Sequence, residues 1–371
     1  MLRVAHVSPA YFAEESLIGG GERYVSYVVR SLSEAAEALP FELKQSVFAL
    51  GPREHTFFDG GVEVHVLKNE SCAPHPMSAA SPRLWELLLD YDLIHVHQAL
   101  TLFGCYCAVV ARTLGKTMIM TDLGGGENEI LLKYGGINLA DGLLSISGFA
   151  KSLIAGYFKG PHVSIIGPVD TDTFSPGAAH VRTRDALVVG RLLPHKGIDR
   201  ILEALPPTLH LFVVGRRYHD DYFELLNRKA AGKQVTFITD ADDTALKNFY
   251  RTCGVYIHAS TYTDVYGHRV DKPELMGLTT LEALSSGMPV VVANTASLPE
   301  LAPDFRFSRV FKSVDHLSQI LTEYVDGSWP PESVAELARN HTVQNYSFRV
   351  VGERIARFYA DVHQRRTGVT P

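Results

Sequence analysis

The chain has 371 residues, of which 46% are hydrophobic and 20% are charged, and its formal net charge at pH 7 is −6. This is enough sequence for one large or two medium domains, and no stretch reaches the roughly 18 consecutive apolar residues that a transmembrane helix needs. The chain reaches acidic residues too early for a signal peptide, and its four cysteines lack C-x-x-C spacing, so we expect a reduced, cytoplasmic protein.

The charge is uneven along the chain. Residues 1–150 contain 10 Lys and Arg against 17 Asp and Glu, a balance of −7, whereas the remaining residues contain 25 against 24, a balance of +1. Nucleic-acid-binding surfaces are basic, and docking on anionic lipid also requires cations. The composition therefore argues against a nucleic-acid partner and against peripheral membrane contact, and it leaves the oligomeric state undetermined.

Strands and helices alternate in the first half of the chain. The opening RVAHVSPAY predicts a buried strand, and a Gly-rich loop then leads into an amphipathic helix with apolar residues at helical spacing. Further strands are predicted at 43–50, 62–67, 92–98, 117–122 and 142–147, and helices around 82–90 and 101–114. This alternation indicates β-α-β units and a mostly parallel sheet.

The pattern pauses at SIIGPVDTDTFSPGA (164–178), whose composition is typical of a linker. Strands then recur at 185–192, 209–215, 234–239, 255–260 and 288–294, with helices at 199–205, near 220–231, near 243–253, after Pro273, and at 349–363. We therefore predict two doubly wound α/β domains, 1–165 and 166–347, with a last helix at about 348–371 joining the first. Ligands of such sheets bind beyond the carboxyl ends of the strands.

The stretch GRLLPHKGIDRI (190–201) follows a predicted strand and enters a helix. Arg191 offers a planar fork and Lys196 a point charge, and with the helix N–H groups they suit a diphosphate. Cations at a helix start oppose the helix dipole, which favours a missing anion as the explanation. The alternative is two solvated cations.

Three consecutive glycines (19–21) precede the first helix and would let a phosphate approach main-chain N–H groups. They lack the G-x-G-x-x-G spacing of a dinucleotide site, which argues against an oxidoreductase, and they lack the Gly-Lys-Ser/Thr of a Walker A loop. A flexible turn is the alternative interpretation.

The stretch PELMGLTTLEALSSGMPVVV (273–292) places Glu274 at the mouth of an apolar helix and Glu282 two turns inside it. A packed helix has no structural need of either acid. The stretch 273–292 resembles the retaining, nucleotide-sugar-dependent glycosyltransferases of group 1, as do the stretches above, the linker and NFYRTCGVYIHAS (248–260). That resemblance spans most of residues 165–302. It implies the GT-B fold, in which two Rossmann-like doubly wound domains face a central cleft.

The resemblance also implies roles for individual residues. Glu274 would accept hydrogen bonds from donor-sugar hydroxyls and Glu282 from the ribose. Eight helical positions span about 12 Å, near the sugar-to-ribose distance of a nucleotide sugar. Arg191 and Lys196 would clamp the diphosphate. The remaining donor-binding positions carried by these motifs are Gly20, Gly21, Gly190, Met276, Gly277 and Leu278.

The implied reaction moves a hexosyl group, expected to come from a UDP-sugar, to an acceptor hydroxyl without a metal ion or other cofactor. Same-face attack leaves no protein nucleophile to name. The acidic N-terminal half suggests a small soluble acceptor such as an amino-sugar or aminocyclitol. The alternatives are a transferase of cell-envelope polysaccharide or glycolipid assembly, a GT-B-type nucleotide-sugar epimerase, and a non-catalytic nucleotide-sugar sensor.

The chain departs from this family at three places. Leu275 replaces the first glycine of the family's Glu-Gly-aromatic-Gly entry, which narrows how closely the backbone can approach the sugar. Leu123 stands where many relatives have a histidine near the reacting sugar, so Asp122, the adjacent glycines or His97 would take over its work. Packing at a strand end is the alternative for His97. The loop 261–273 is longer than usual by roughly eight residues, a length at which a functional role is common. His268 and Arg269 in this loop could contact the donor, or they could be solvated surface residues.

Overall fold

Alternating strands and helices build two mainly parallel sheets, as the sequence pattern predicts. The computed structural model describes residues 1–11, 20–72, 75–124, 129–177 and 182–371. The chain divides into unit 1, made of residues 1–168 and 346–371, and unit 2, made of residues 169–345. Gly19, part of the predicted glycine loop, lies outside the described residues.

Unit 1 is built on eight strands among its described residues, in the order β3-β4-β2-β1-β5-β6-β7-β8, and only β3 is antiparallel to its neighbour. The strands are β1 (Leu2–Ser8), β2 (Leu43–Gly51), β3 (His55–Asp59), β4 (Val62–Lys68), β5 (Leu93–His97), β6 (Thr117–Thr121), β7 (Gly142–Ser145) and β8 (His162–Ser164). The helices are α1 (Gly20–Ala35), α2 (Leu84–Leu87), α3 (Leu102–Thr113), α4 (Ile130–Lys133), α5 (Gly148–Ile154) and, from the end of the chain, α12 (Phe348–Thr367).

Both faces of this sheet are buried. Along β2, Val47 and Ala49 join an apolar cluster with Val25 and Val29 of α1. Phe48 and Leu50 of the same strand join a second, larger cluster that includes residues of α3. Successive side chains of a strand point to opposite faces, so a strand covered on both sides reads as a continuous apolar run.

Unit 2 has a six-stranded parallel sheet within its described part, in the order β11-β10-β9-β12-β13-β14. Its strands are β9 (Ala186–Val189), β10 (Leu211–Val214), β11 (Val235–Ile238), β12 (Val255–His258), β13 (Val290–Ala293) and β14 (Ser308–Phe311). Its helices are α6 (Ile198–Ala204), α7 (Asp220–Ala230), α8 (Asp243–Thr252), α9 (Leu278–Ser285), α10 (Val314–Asp326) and α11 (Val334–Tyr346). The strand order reverses between β9 and β12, which defines the switch point of this sheet.

Helix α12 returns the chain to unit 1 and packs against α1. The two backbones approach so closely that a Cβ on Gly352 would lie 2.0 Å from the carbonyl oxygen of Ser31. Tyr359 reaches the sheet, where its hydroxyl lies 2.5 Å from Nδ1 of His95. This last helix is therefore part of the core of unit 1.

The sequence analysis did not predict several elements, notably β3, β8, β14, α5, α10 and α11. β3 is an antiparallel edge strand with mostly exposed side chains, so it lacks the apolar run of a buried strand. Within the described ranges, no helix combines the length and the apolar character that crossing a bilayer requires.

Candidate functional site

Two loops meet at the switch point of unit 2. One is the cation loop (190–197), which follows β9, and the other begins after His258, the last residue of β12. Gly197 has a φ of +65°, and a Cβ on it would lie 2.1 Å from the carbonyl oxygen of Ala259. Both the dihedral angle and the space require glycine. The cation loop is thereby held against the carboxyl end of β12.

The cation loop carries positive charge. Gly190 opens it, and no described atom lies within 4 Å of where a Cβ on this residue would stand. Arg191 is exposed, with its guanidinium carbon 5.8 Å from the centre of the Tyr218 ring. Burial and the charges of Lys196 and Arg191 lower the pKa of His195 to about 4, so its imidazole is neutral at pH 7. This environment suits an anionic ligand.

Glu274 is the centre of the site. Its Oε2 lies 2.8 Å from Nζ of Lys196 and 3.0 Å from Nε2 of His258, and its Oε1 accepts a hydrogen bond of 3.2 Å from the Gly277 N–H. The side chain is only 15% exposed. Burial alone would raise its pKa, but the Lys196 ammonium and the hydrogen bond from His258 hold the pKa of Glu274 well below its ordinary value of 4.5. Glu274 is therefore ionised at neutral pH.

The segment around Glu274 leads directly into α9. Gly277 adopts a left-handed conformation (φ +84°) at the N-cap, where a Cβ would lie 2.9 Å from Cδ1 of Leu301. Met276 and Leu278 on either side of it are buried apolar side chains. Their burial fixes the start of the helix, and with it the position of the Glu274 carboxylate.

Glu282 lies on α9 with 2% of its surface exposed, and its Oε2 accepts a 2.9 Å hydrogen bond from the Tyr250 hydroxyl. Tyr250 is fully buried in the core, and its hydroxyl also serves this carboxylate. Burial raises the pKa of Tyr256, and the charges of Glu282 and Glu274 raise it further, whereas the hydrogen bond to Thr279 lowers it. The Tyr256 ring therefore lies within electrostatic reach of both acids.

The loop 261–273 begins beside the cation loop, since the Thr261 N–H donates to the His195 carbonyl at 2.9 Å. His268 and Arg269 are exposed and pair within their own loop. Nδ1 of His268 lies 3.3 Å from Asp264, and Nε of Arg269 lies 2.9 Å from Asp271. The structure thus shows both as surface residues with local partners, and their contact with a donor stays a prediction.

In unit 1, the predicted residues gather at the carboxyl ends of β5 and β6. Gly20 begins α1, and a Cβ on Gly21 would lie 3.1 Å from Nε2 of Gln98 and 3.8 Å from Cβ of Leu123. Asp122 accepts a hydrogen bond of 3.4 Å from the Leu100 N–H. Gln98 has a φ of +66°, a strained conformation for a residue with a side chain. These loops form a second candidate region, and the roles of Gly20, Gly21 and Asp122 stay predictions.

His97 is fully buried in the core of unit 1, together with His6 and His95. Its Nε2 lies 3.2 Å from Nδ1 of His6, and the ring centroids of His95 and His97 are 4.0 Å apart. This burial favours a packing role, and a place for His97 beside the sugar stays a prediction.

The same three histidines form the one group of metal-type ligands found in the described part of the chain, with ligand atoms within 4.8 Å of one another. The Gln45 amide nitrogen donates to the Val29 carbonyl, so the Gln45 oxygen accepts from Nε2 of His6 at 3.1 Å. Nδ1 of His6 then accepts from His97. Burial lowers the pKa of His6 to about 4 and holds the pKa of the other two well below the usual value. The arrangement is that of a neutral hydrogen-bonded network.

Sequence reasoning missed His258 and Gln98. His258 is the last residue of an otherwise apolar strand, and a polar residue at that position was the available signal. Gln98 follows a strand in the same way, but its positive φ leaves no trace in the sequence. His258 ends, and Gln98 directly follows, a strand that borders a reversal of strand order, where ligands bind in doubly wound sheets.

Comparison with known structures identifies the fold. Sucrose-phosphate synthase of Thermosynechococcus elongatus superposes with a TM-score of 0.75 at 17% identity, covering 98% of this chain and all of that one. Anabaena HepE in complex with UDP gives a TM-score of 0.72 at 15% identity, covering 97% and 100%. The protein has the GT-B fold, and the fold prediction is confirmed.

Sequence comparison relates most of unit 2 to a known family. The profile described as "Glycosyl transferases group 1" matches residues 171–343, which carry the cation loop and both acids. The GDP-mannose-dependent alpha-(1-6)-phosphatidylinositol monomannoside mannosyltransferase of Mycolicibacterium smegmatis is 28% identical over 336 residues, which is 81% of this chain and 85% of that protein. Residues 171–343 therefore match the group 1 glycosyltransferases, as the motifs in this part of the chain predict.

Proposed function

We propose that the protein transfers a hexosyl group from a nucleoside-diphosphate sugar to an acceptor hydroxyl, with retention of configuration and without a divalent metal ion. The observation that carries the proposal is the ionised, largely buried Glu274 carboxylate beside Lys196 at the switch point of unit 2. An ionised carboxylate accepts hydrogen bonds only, which suits a sugar hydroxyl. The neighbouring cation loop suits the diphosphate.

The two acids lie at the entry to α9 and inside it. Glu282 is one turn into the helix, which begins at Leu278, and Glu274 lies in the loop before it, so the helical rise applies only to the last four of the eight positions that separate them. In the proposed complex Glu274 holds the sugar, Arg191 and Lys196 hold the diphosphate, and Glu282 holds the ribose. The hydrogen bond from Tyr250 keeps the Glu282 side chain in one orientation.

The chemistry follows from where charge develops. Breaking the bond between the anomeric carbon and the phosphate oxygen leaves negative charge on the diphosphate and positive charge on the sugar ring. Arg191 and Lys196 stabilise the first without a metal ion. The acceptor hydroxyl attacks from the face that the phosphate leaves, and the departing phosphate takes its proton. No side chain is assigned as a nucleophile.

A donor panel tests the proposal. UDP-glucose, UDP-N-acetylglucosamine and UDP-galactose follow from the sequence expectation and from UDP in HepE, and GDP-mannose follows from the name of the mannosyltransferase relative. Calorimetry should show binding of one base series. Binding of none of these compounds would contradict the proposal. Conversion of a donor to its epimer without an acceptor would support the epimerase alternative.

Two acceptor classes are in competition. The acidic N-terminal half favours a neutral or cationic soluble acceptor such as an amino-sugar. The relative's name favours a phosphatidylinositol-linked mannoside. The donor that binds should be incubated with each class, and the products identified by mass spectrometry. Product formation with only one class decides between them.

Glu282→Ala should weaken binding of the matching nucleoside diphosphate. The substitution removes the two carboxylate oxygens proposed to accept the ribose hydroxyls, and hydrogen bonds to charged groups contribute about 1.5–3 kcal/mol each, so we expect about a 100-fold loss of affinity by calorimetry. Glu203→Ala, which removes an acid paired with Lys229 on neighbouring helices of the same unit, is the control. Unchanged affinity in Glu282→Ala would remove the ribose assignment.

A further inference from the structure

His258 connects the Glu274 carboxylate to the framework of unit 2. It is the last residue of β12 and only 6% exposed. Its Nε2 lies 3.0 Å from Oε2 of Glu274, and its Nδ1 lies 2.9 Å from Oγ1 of Thr280 on α9. Oγ of Ser260 lies 3.2 Å from the same Nε2. One imidazole therefore bridges the end of a central strand, the first turn of α9 and the carboxylate.

The hydrogen-bond partners determine the tautomer of this ring. An ionised carboxylate has no proton to donate, so Nε2 of His258 must carry the proton in its bond to Glu274. In the neutral imidazole, Nδ1 is then the acceptor, and the Thr280 hydroxyl supplies the proton. Thr280 is itself fully buried in α9. The ring is thereby held on both sides in one orientation.

Protein groups already use part of the hydrogen-bond acceptor capacity of the Glu274 carboxylate. A carboxylate offers about four acceptor positions, two on each oxygen. Lys196 and His258 occupy both positions on Oε2, and the Gly277 N–H occupies one on Oε1. Among the contacts made by the described residues, one acceptor position remains, on Oε1. The carboxylate can therefore bind one sugar hydroxyl, in a direction set by the groups that hold Oε2.

Lys196 alone would hold Oε2 less firmly than His258 does. A lysine ammonium is a rotatable point charge on a flexible stem, and in the proposed function it also binds the diphosphate. The His258 ring is attached to a central strand and fixed at both nitrogens. The more rigid of the two partners therefore determines the direction in which Glu274 points.

We propose that His258 is a positioning residue for sugar transfer, which holds Oε2 of Glu274 so that the free acceptor position on Oε1 meets a single hydroxyl of the donor sugar. This inference rests on the proposed function and adds to it a residue that acts on the sugar and not on the nucleotide. Other groups bind the nucleotide. A loss of sugar transfer with unchanged nucleotide affinity therefore distinguishes an effect on the sugar from an effect on the nucleotide.

The test compares His258→Leu with His258→Gln. Leucine at position 258 offers no donor to Oε2 of Glu274, and a misplaced catalytic group costs about 100-fold in kcat/KM. Release of nucleoside diphosphate from the donor should therefore slow by about that factor. Binding of UDP or GDP should change by less than about twofold, because the substitution leaves the nucleotide contacts in place. Gln Nε2 can donate from nearly the same position as His Nε2. The glutamine variant should therefore cleave the donor about tenfold faster than the leucine variant.

His210→Leu is the matched control. Like His258, His210 lies at the end of a strand, directly before β10, and its Nδ1 is 3.6 Å from the Asp185 carboxylate. Its donor cleavage should equal that of the parent. Thr280→Val removes the hydroxyl that orients Nδ1 and should slow donor cleavage about tenfold through His258. This variant, with His258→Gln, decides the matter if His258→Leu does not fold.

Three results would overturn the inference. One is donor cleavage by folded His258→Leu within about threefold of the parent rate. Another is equal loss in the leucine and glutamine variants, since a donor at this position would then be irrelevant. The third is unchanged cleavage by Thr280→Val when the leucine variant is unfolded. If the parent neither binds nor cleaves any of the four donors of the panel, the proposed function itself fails and the inference falls with it.

Discussion

Replacing Lys196 by alanine is expected to slow sugar transfer about 10³-fold, because removing one preorganised group that stabilises transition-state charge costs 10²–10³ in rate. The ammonium lies 2.8 Å from Glu274, so the substitution also takes a counter-ion from a largely buried acid. Hydrogen bonds to charged groups contribute about 1.5–3 kcal/mol, and we expect the free energy of unfolding to fall by about 2 kcal/mol. Initial rates and urea denaturation measure the two effects.

Lys229→Ala is the control for this experiment. Lys229 pairs with Glu203 between α7 and α6, away from the cation loop, so its loss should leave the transfer rate unchanged. Lys196→Arg keeps the positive charge but replaces a point charge by a planar fork, and should be intermediate. A Lys196→Ala enzyme with the parent rate would show that Lys196 serves only Glu274 and not the leaving diphosphate.

Glu274→Gln is the second substitution with a large expected effect. The amide keeps the size of the side chain but removes the negative charge beside Lys196 and His258. Transfer should slow about 10³-fold, because the sugar and the two protein donors all lose a charged acceptor. Binding of the nucleoside diphosphate should persist. Loss of nucleotide binding equal to the loss of transfer would contradict the assignment of Glu274 to the sugar.

The pH dependence of stability provides an independent check of the Glu274 charge. Its pKa in the folded protein is held below the ordinary value of 4.5, after the opposing effect of burial, by Lys196 and His258. Ionisation therefore adds stability above about pH 5, and this contribution is lost as the pH falls towards the folded-state pKa. The stability difference between parent and Glu274→Gln should be larger at pH 7 than at pH 4 by roughly 1 kcal/mol. A difference independent of pH would mean that folding does not lower the pKa of Glu274.

Much of the fold could be predicted because parallel strands buried on both faces leave strong apolar runs. Val290–Ala293 is buried at every position and was easy to recognise. β3 was missed because it lies at an antiparallel edge and its side chains are mostly exposed. α10 was missed although Ser313 caps it by accepting from the His316 N–H at 3.1 Å, a signal that the sequence contains.

The site was predictable where charge stood out against an apolar background. Glu274 and Lys196 are separated by 78 residues in sequence, and the structure places them in contact. His258 could not be assigned in the same way, because its function depends on how the loop 261–273 returns the chain to Glu274. The side chains of His268 and Arg269 were likewise beyond prediction, since local acids in their own loop pair with them.

The path of the chain has a consequence for how the protein is made. Unit 2 is continuous in sequence, whereas unit 1 is finished only when α12 supplies Tyr359 and Gly352. Domains tend to fold as they leave the ribosome, yet residues 1–168 cannot complete unit 1 until residues 346–371 have been made, while the continuous unit 2 can fold ahead of them. A truncation that removes α12 would therefore damage the part of unit 1 that was synthesised earlier.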